Sequence, residues 1–177
     1  YLKGVILLES LEDVLGEEFL LSVIRDIVTG KSVFDLHSFS SYLKPYPIDE
    51  NATLADVYTH WYTTGGYPMV HVSTSEAEDN DSGEKGQAVV TVEQRGPGLW
   101  PLRLVFSDGT SGWQLANSLS LPVHSISDGR APLPSPAPLL LNLNFTSFMR
   151  VNYDNSTWNE ILDALEQSAS SFSPLAR

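Results

Sequence analysis

The chain has 177 residues and a formal net charge of −12, with 22 acidic side chains against 10 Lys and Arg. A nucleic-acid binder needs clustered cations to displace counterions from phosphate, so so few and so dispersed basic residues exclude that class and anionic membrane surfaces with it. Hydrophobic residues make up 42%, enough for one medium domain or two small ones, and no apolar run approaches the roughly 18–20 residues of a membrane-spanning helix.

The first third reads as helical. Leu8, Leu11 and Leu15 fall on one helix face and predict a helix over 5–15. Gly16 follows, a common residue just past a helix end. Glu17 and Glu18 suit the positive end of a second helix dipole, and Phe19, Val23 and Ile27 continue its apolar face to a stop at Gly30. A third helix is expected over 35–43, ended by Pro45 and Pro47, and a fourth over 54–61, ahead of Gly65-Gly66.

Pro68 marks a change of period. Met69, Val70 and Val72 begin strand-type sequence, and a polar connection is expected over 73–86. That connection holds Glu76, Glu78, Asp79, Asp81 and Glu84, a solvated acidic loop without the regular oxygen spacing of a calcium site. Val89, Val90, Thr91 and Val92 predict a strand over 87–94, broken by Gly96-Pro97-Gly98. Leu102, Leu104 and Phe106 alternate over 100–106. Asp108-Gly109 is a hairpin turn signal, after which 113–119 is expected to pair back. The proline run at 131–138 excludes a central strand. Two further strands are expected at 139–145 and 148–151, and Trp158, Ile161, Leu162 and Leu165 restart helical spacing.

The implied fold class is α+β: helices over 1–68, a small antiparallel β-sandwich over 69–154, and the first helix of a further helical region over 155–177. One-faced helices must bury their apolar side against neighbours, and too few are present. Tyr1 is not Met, and an amphipathic pattern begins at once. The chain is therefore expected to be an interior piece of a longer protein.

There is no Cys, which removes disulfides and thiolate metal ligands without fixing a compartment. Four sequons, at Asn51, Asn80, Asn144 and Asn155, favour a cell-surface or secreted protein over the cytoplasmic alternative.

Three landmarks then recur in a fixed order: Tyr1-x-Lys3-Gly4, the run from Trp61 to Gly65-Gly66-Tyr67-Pro68, and Arg150-Val151-Asn152-Tyr153-Asp154 followed by Trp158. With Leu15-Gly16-Glu17-Glu18 and Trp100, this series resembles the zinc aminopeptidases related to aminopeptidase N and the puromycin-sensitive enzyme, along essentially the whole chain. Phe148-Met149 depart from the pattern, standing where the family has two Tyr residues. The resemblance implies the closing helices of a catalytic domain, a β-sandwich, and the start of a C-terminal helical domain. It implies zinc and a peptide substrate for the full-length parent, which removes N-terminal residues from peptides. It also implies partner segments on both sides, the N-terminal catalytic part and the C-terminal helical part. Tyr1 matches the family Tyr whose phenol hydrogen-bonds the oxyanion of the tetrahedral intermediate.

The family's His-Glu-x-x-His, which places two ligands on one helix face, is absent, as is its Gly-x-Met-Glu-Asn amine-binding motif. The histidines are His37, His60, His71 and His124, none spaced four from another. His37 and His60, in predicted helices, read as ordinary surface or packed residues. The expectation is that this chain alone binds no zinc and hydrolyses nothing. Trp61, Trp100 and Trp113 read as core or interdomain aromatics, Arg150 and Asp154 as a junction ion pair, and Tyr153 and Trp158 as interdomain anchors. Two alternatives stay open. The parent is a non-catalytic adhesion or receptor ectodomain that keeps the scaffold, or 69–154 is an autonomous β-sandwich binding module.

Overall fold

A computed structural model describes residues 2–33, 35–75, 89–96, 98–107, 111–115, 118–122, 140–142 and 145–168. The fold is α+β and divides into two compact units, Tyr1–Tyr67 with Thr146–Phe148, and Pro68–Phe145 with Met149–Arg177.

In the helical unit, α1 (Leu2–Leu15) and α2 (Glu17–Val28) pack together, as do α3 (Leu36–Leu43) and α4 (Leu54–Thr63). Gly16, at φ 83°, makes the break between the first two, a conformation that Gly adopts without a Cβ penalty. The buried face of α1 is Leu7 and Leu11, not the expected row through Leu8, which is half exposed. The expected face of α2 does turn inward around the buried Val23. Asp35 caps α3, accepting from the Ser38 N–H. Thr53 and Asp56 form a capping box at the start of α4. That helix is the most deeply buried of the four, with Leu54, Ala55, Val57, Tyr58 and Trp61 in the core. The Tyr58 hydroxyl donates to the Leu7 carbonyl at 3.1 Å, a buried bond linking α4 to α1.

The second unit holds β1 (Met69–Ser75), β2 (Val89–Arg95), β3 (Leu102–Val105), β4 (Ser111–Gln114), β5 (Ser118–Pro122), β6 (Arg150–Tyr153) and α5 (Asn155–Ser168). Four strands form one sheet in the order β5-β2-β1-β6, and β3 pairs with β4 in a second sheet. Alternation decides what is buried: Val70 and Val72 on β1, Val90 and Val92 on β2, and Leu102 and Leu104 on β3 all face the core. The buried Gln114 side chain donates to the Val92 carbonyl at 2.9 Å, tying the hairpin to β2.

Several expectations are corrected here. β1 runs on to Ser75 instead of giving way to a connection at residue 73. The segment 113–119 does not pair back as one strand. Its first part belongs to β4, and β5 leaves to pair with β2 in the other sheet. Residues 140–142 form no strand. Leu141 makes only an isolated bridge with Phe106, because Asn142 and Phe145 hold φ values of 61° and 55°, outside extended backbone. The last strand is β6, two residues later than expected, and it pairs with β1 in parallel, while every other ladder is antiparallel. The Asp108-Gly109 turn, the acidic segment 76–88 and the proline run lie outside the described residues.

Candidate functional site

Two places bring together residues of the sequence landmarks, one in each unit. In the helical unit, Lys3 sits in the first turn of α1. Its Nζ donates to the Thr64 carbonyl at 2.7 Å and lies 5.2 Å from the centre of the Trp61 ring. Thr64 caps the C-terminus of α4, where unpaired carbonyls and the negative end of the helix dipole attract a cation. Burial lowers the Lys3 pKa. His60, one turn back on α4, has its pKa lowered by burial and then by the Lys3 charge. Phe148 meets the rings of Trp61 and Tyr67 edge-on, at 6.4 and 6.1 Å. The first two landmarks are thus in contact through Lys3, although 61 residues separate it from Thr64. Tyr1 lies outside the described residues.

In the second unit, the string Arg150–Asp154 is strand β6 followed by the cap of α5. The Asp154 carboxylate accepts from the Thr157 N–H at 2.8 Å and the Ser156 hydroxyl at 2.8 Å, the N-cap arrangement. It also accepts from the Thr74 N–H on β1 at 3.1 Å. These bonds, the one from the Thr157 backbone first, pull its pKa down to about 2. Asp154 thus serves as the cap of α5. Tyr153 is buried, and its hydroxyl accepts from the Leu141 N–H at 2.9 Å. Burial raises its pKa. Trp158 meets the Tyr153 ring edge-on at 5.3 Å and donates from Nε1 to Asn152 Oδ1 at 3.2 Å.

Between β6, α5 and residues 140–142 lies an open cavity of about 410 Å3, lined by Leu141, Arg150, Val151, Tyr153, Trp158 and Ile161 among others. Sequence reasoning named Tyr153 and Trp158 as anchors but missed this hollow. Asn142, which takes φ 61° there, is a residue type that tolerates positive φ, but that tolerance alone did not exclude a strand.

The remaining sequence candidates are dispersed. Asn51 and Asn155 are exposed, while Asn80 and Asn144 lie outside the described residues. His37 is exposed on α3, His71 is partly covered on β1, and His124 is outside the described residues. Among the described residues, no three His, Asp or Glu side chains converge as a metal ligand set. Trp61 and Trp100 are buried. Trp113, on β4, is only partly covered.

Neither protein-family models nor curated proteins give a match to this chain.

Proposed function

We propose that the chain is an interior part of a zinc aminopeptidase that removes N-terminal residues from peptides. In this reading it contributes Tyr1, the closing helices of the catalytic domain, the β-layer spacer and the first helix of the C-terminal region, and by itself it hydrolyses nothing. The observation that carries the reading is Lys3. It ties the Tyr1-x-Lys3-Gly4 landmark to the end of α4, where the run from Trp61 to Pro68 begins. A lysine whose charge is committed to the last carbonyl of a helix fixes the start of α1. An oxyanion donor works only when held in place, and in this reading the parent holds Tyr1, the first residue of that landmark, for this role.

Uncovered apolar side chains agree with it. Leu2 and Val5 on α1, and Ile24 and Val28 on α2, are all more than half exposed. Helices with such stripes belong against further structure, which the rest of a catalytic domain supplies. In this reading zinc and its ligands belong to that other part.

The test is Tyr1→Phe in the longer protein that carries this segment. Turnover of an aminoacyl substrate is expected to fall about 10²–10³-fold, the usual effect of removing one oxyanion donor, with zinc content unchanged. Full turnover in the variant defeats the reading of Tyr1. A parent without His-Glu-x-x-His upstream defeats the enzymatic reading and leaves the ectodomain.

A further inference from the structure

The connection from α3 to α4 closes on itself. Pro47 and Thr53 form an antiparallel bridge, the Leu54 N–H donates to the Tyr46 carbonyl at 2.9 Å, and the Ile48 N–H donates to the Ala52 carbonyl at 2.8 Å. At the far end, Asp49 Oδ1 accepts from the Asn51 and Ala52 N–H groups, each at 2.7 Å. This is an Asx turn, in which a short side chain stands in for a backbone acceptor. It presents Asp49, Glu50 and Asn51 as an exposed tip.

Asn51 also opens the acceptor triplet Asn51-Ala52-Thr53. Attachment of an N-linked glycan asks two things of such a triplet. The Asn amide must reach solvent, and the hydroxyl two residues on must be open to the transferase. Asn51 and Asn155 both meet the first condition. The second separates them. Thr53 Oγ1 lies at the surface, where it donates to Asp56 Oδ2 at 2.7 Å. Thr157, which completes the triplet of Asn155, is only 3% exposed, and its Oγ1 is buried. Thr146, which completes the triplet of Asn144, has its Oγ1 buried as well.

We propose that Asn51 carries an N-linked glycan. The donor is a lipid-linked oligosaccharide. The Asn51 amide nitrogen bonds to C1 of its first N-acetylglucosamine, the bond from C1 to the pyrophosphate oxygen breaks, the lipid pyrophosphate leaves, and one amide proton passes to a base of the transferase. The tip tolerates a bulky, hydrated substituent because backbone groups and the Asp49 carboxylate hold the turn, and the Asn51 side chain is not needed for it. The triplet of Asn155 is open to the transferase only until Thr157 is buried. A glycan on Asn51 keeps the α3–α4 tip in solvent within the longer protein. The site rests on passage through a glycosylating compartment and not on the peptidase reading.

The experiment takes the longer protein that carries this segment from its own cells and removes N-glycans with a peptide amidase in heavy-oxygen water. Release converts each glycosylated Asn to an Asp labelled with heavy oxygen, which peptide mass mapping locates. The label is expected at position 51. Asn51→Gln keeps the backbone N–H that Asp49 holds, and is expected to lose one glycan step in gel mobility with an unchanged far-UV spectrum. An unlabelled position 51 overturns the proposal. With label at another triplet, the choice of site fails; with label nowhere, the compartment fails. Both results leave the peptidase reading standing, which falls on a missing His-Glu-x-x-His instead.

Discussion

Asp154 holds together three parts of its unit with one carboxylate: the first turn of α5, the end of β6, and Thr74 on β1. Its pKa of about 2 in the folded chain lies below the ~3.9 of an unperturbed Asp. The unfolded chain therefore takes up this proton first as the pH falls. The stabilisation is fully present above about pH 4 and disappears as the pH drops through about 2. Asp154→Ala is expected to cost about 1 kcal/mol at neutral pH, the usual effect of losing an N-cap, whereas Asp154→Asn keeps the cap. Denaturant unfolding at pH 7 and pH 3 reads both effects. The Asn variant should fall between the parent and the Ala variant at pH 7 and lose less on acidification. Tyr153 makes a different single-atom contribution. Tyr153→Phe keeps the ring against Trp158 but leaves the Leu141 N–H without its partner. A loss of about 1–3 kcal/mol in unfolding free energy is expected.

Among the elements, the four helices were legible because each carries an apolar stripe bounded by a capping or stop residue. Gly16, Asp35 and Thr53 stand where the chain leaves or enters a helix. Leu7 replaced Leu8 in the α1 core because adjacent leucines leave the phase of the stripe undetermined, and only packing within the unit chooses between them. The strands were less legible. The residues 113–119 read as a single strand, yet they divide between two sheets. What commits β4 to the hairpin while joining it to β2 is a buried side-chain bond from Gln114, a polar residue that sequence reasoning had no ground to place inside. Gln94 acts in the same way at the other end of β2. Its amide receives the Trp100 N–H at 2.9 Å and donates to the Trp100 carbonyl at 2.7 Å, closing a turn in which Gly96 and Gly98 take positive φ. Gln94→Leu removes both bonds while keeping a similar volume. The Trp100 amide should then exchange with solvent markedly faster, with unfolding free energy lower by about 1–3 kcal/mol. Unchanged exchange would assign the turn to its glycines alone.

At the scale of the whole molecule, the feature hidden from local pattern is the parallel contact of β1 with β6. Each strand is recognisable by itself, but nothing in the spacing of Val70 and Val72, or of Val151 and Tyr153, tells which way they meet. Parallel pairing requires a long crossover, and here that crossover is the rest of the sheet. The motif string from Arg150 to Asp154 was therefore visible as a landmark and invisible as an edge strand with a hollow beside it. The same pairing predicts how the second unit comes apart. Without β6, β1 loses the bonds to Pro68 and Val72, the Tyr153 ring leaves the core, and Leu141 loses its tie. A fragment spanning 68–168 contains every described strand of the unit and α5, and should unfold cooperatively, with coincident transitions by far-UV and tryptophan signals. A fragment spanning 68–145 keeps β1 to β5 and all of their antiparallel ladders, yet lacks the strand that buries the open side of β1. It should show a broad, probe-dependent transition. A sharp transition in the shorter fragment would mean that the antiparallel strands alone form the stable unit and that β6 with α5 is an appendage to it.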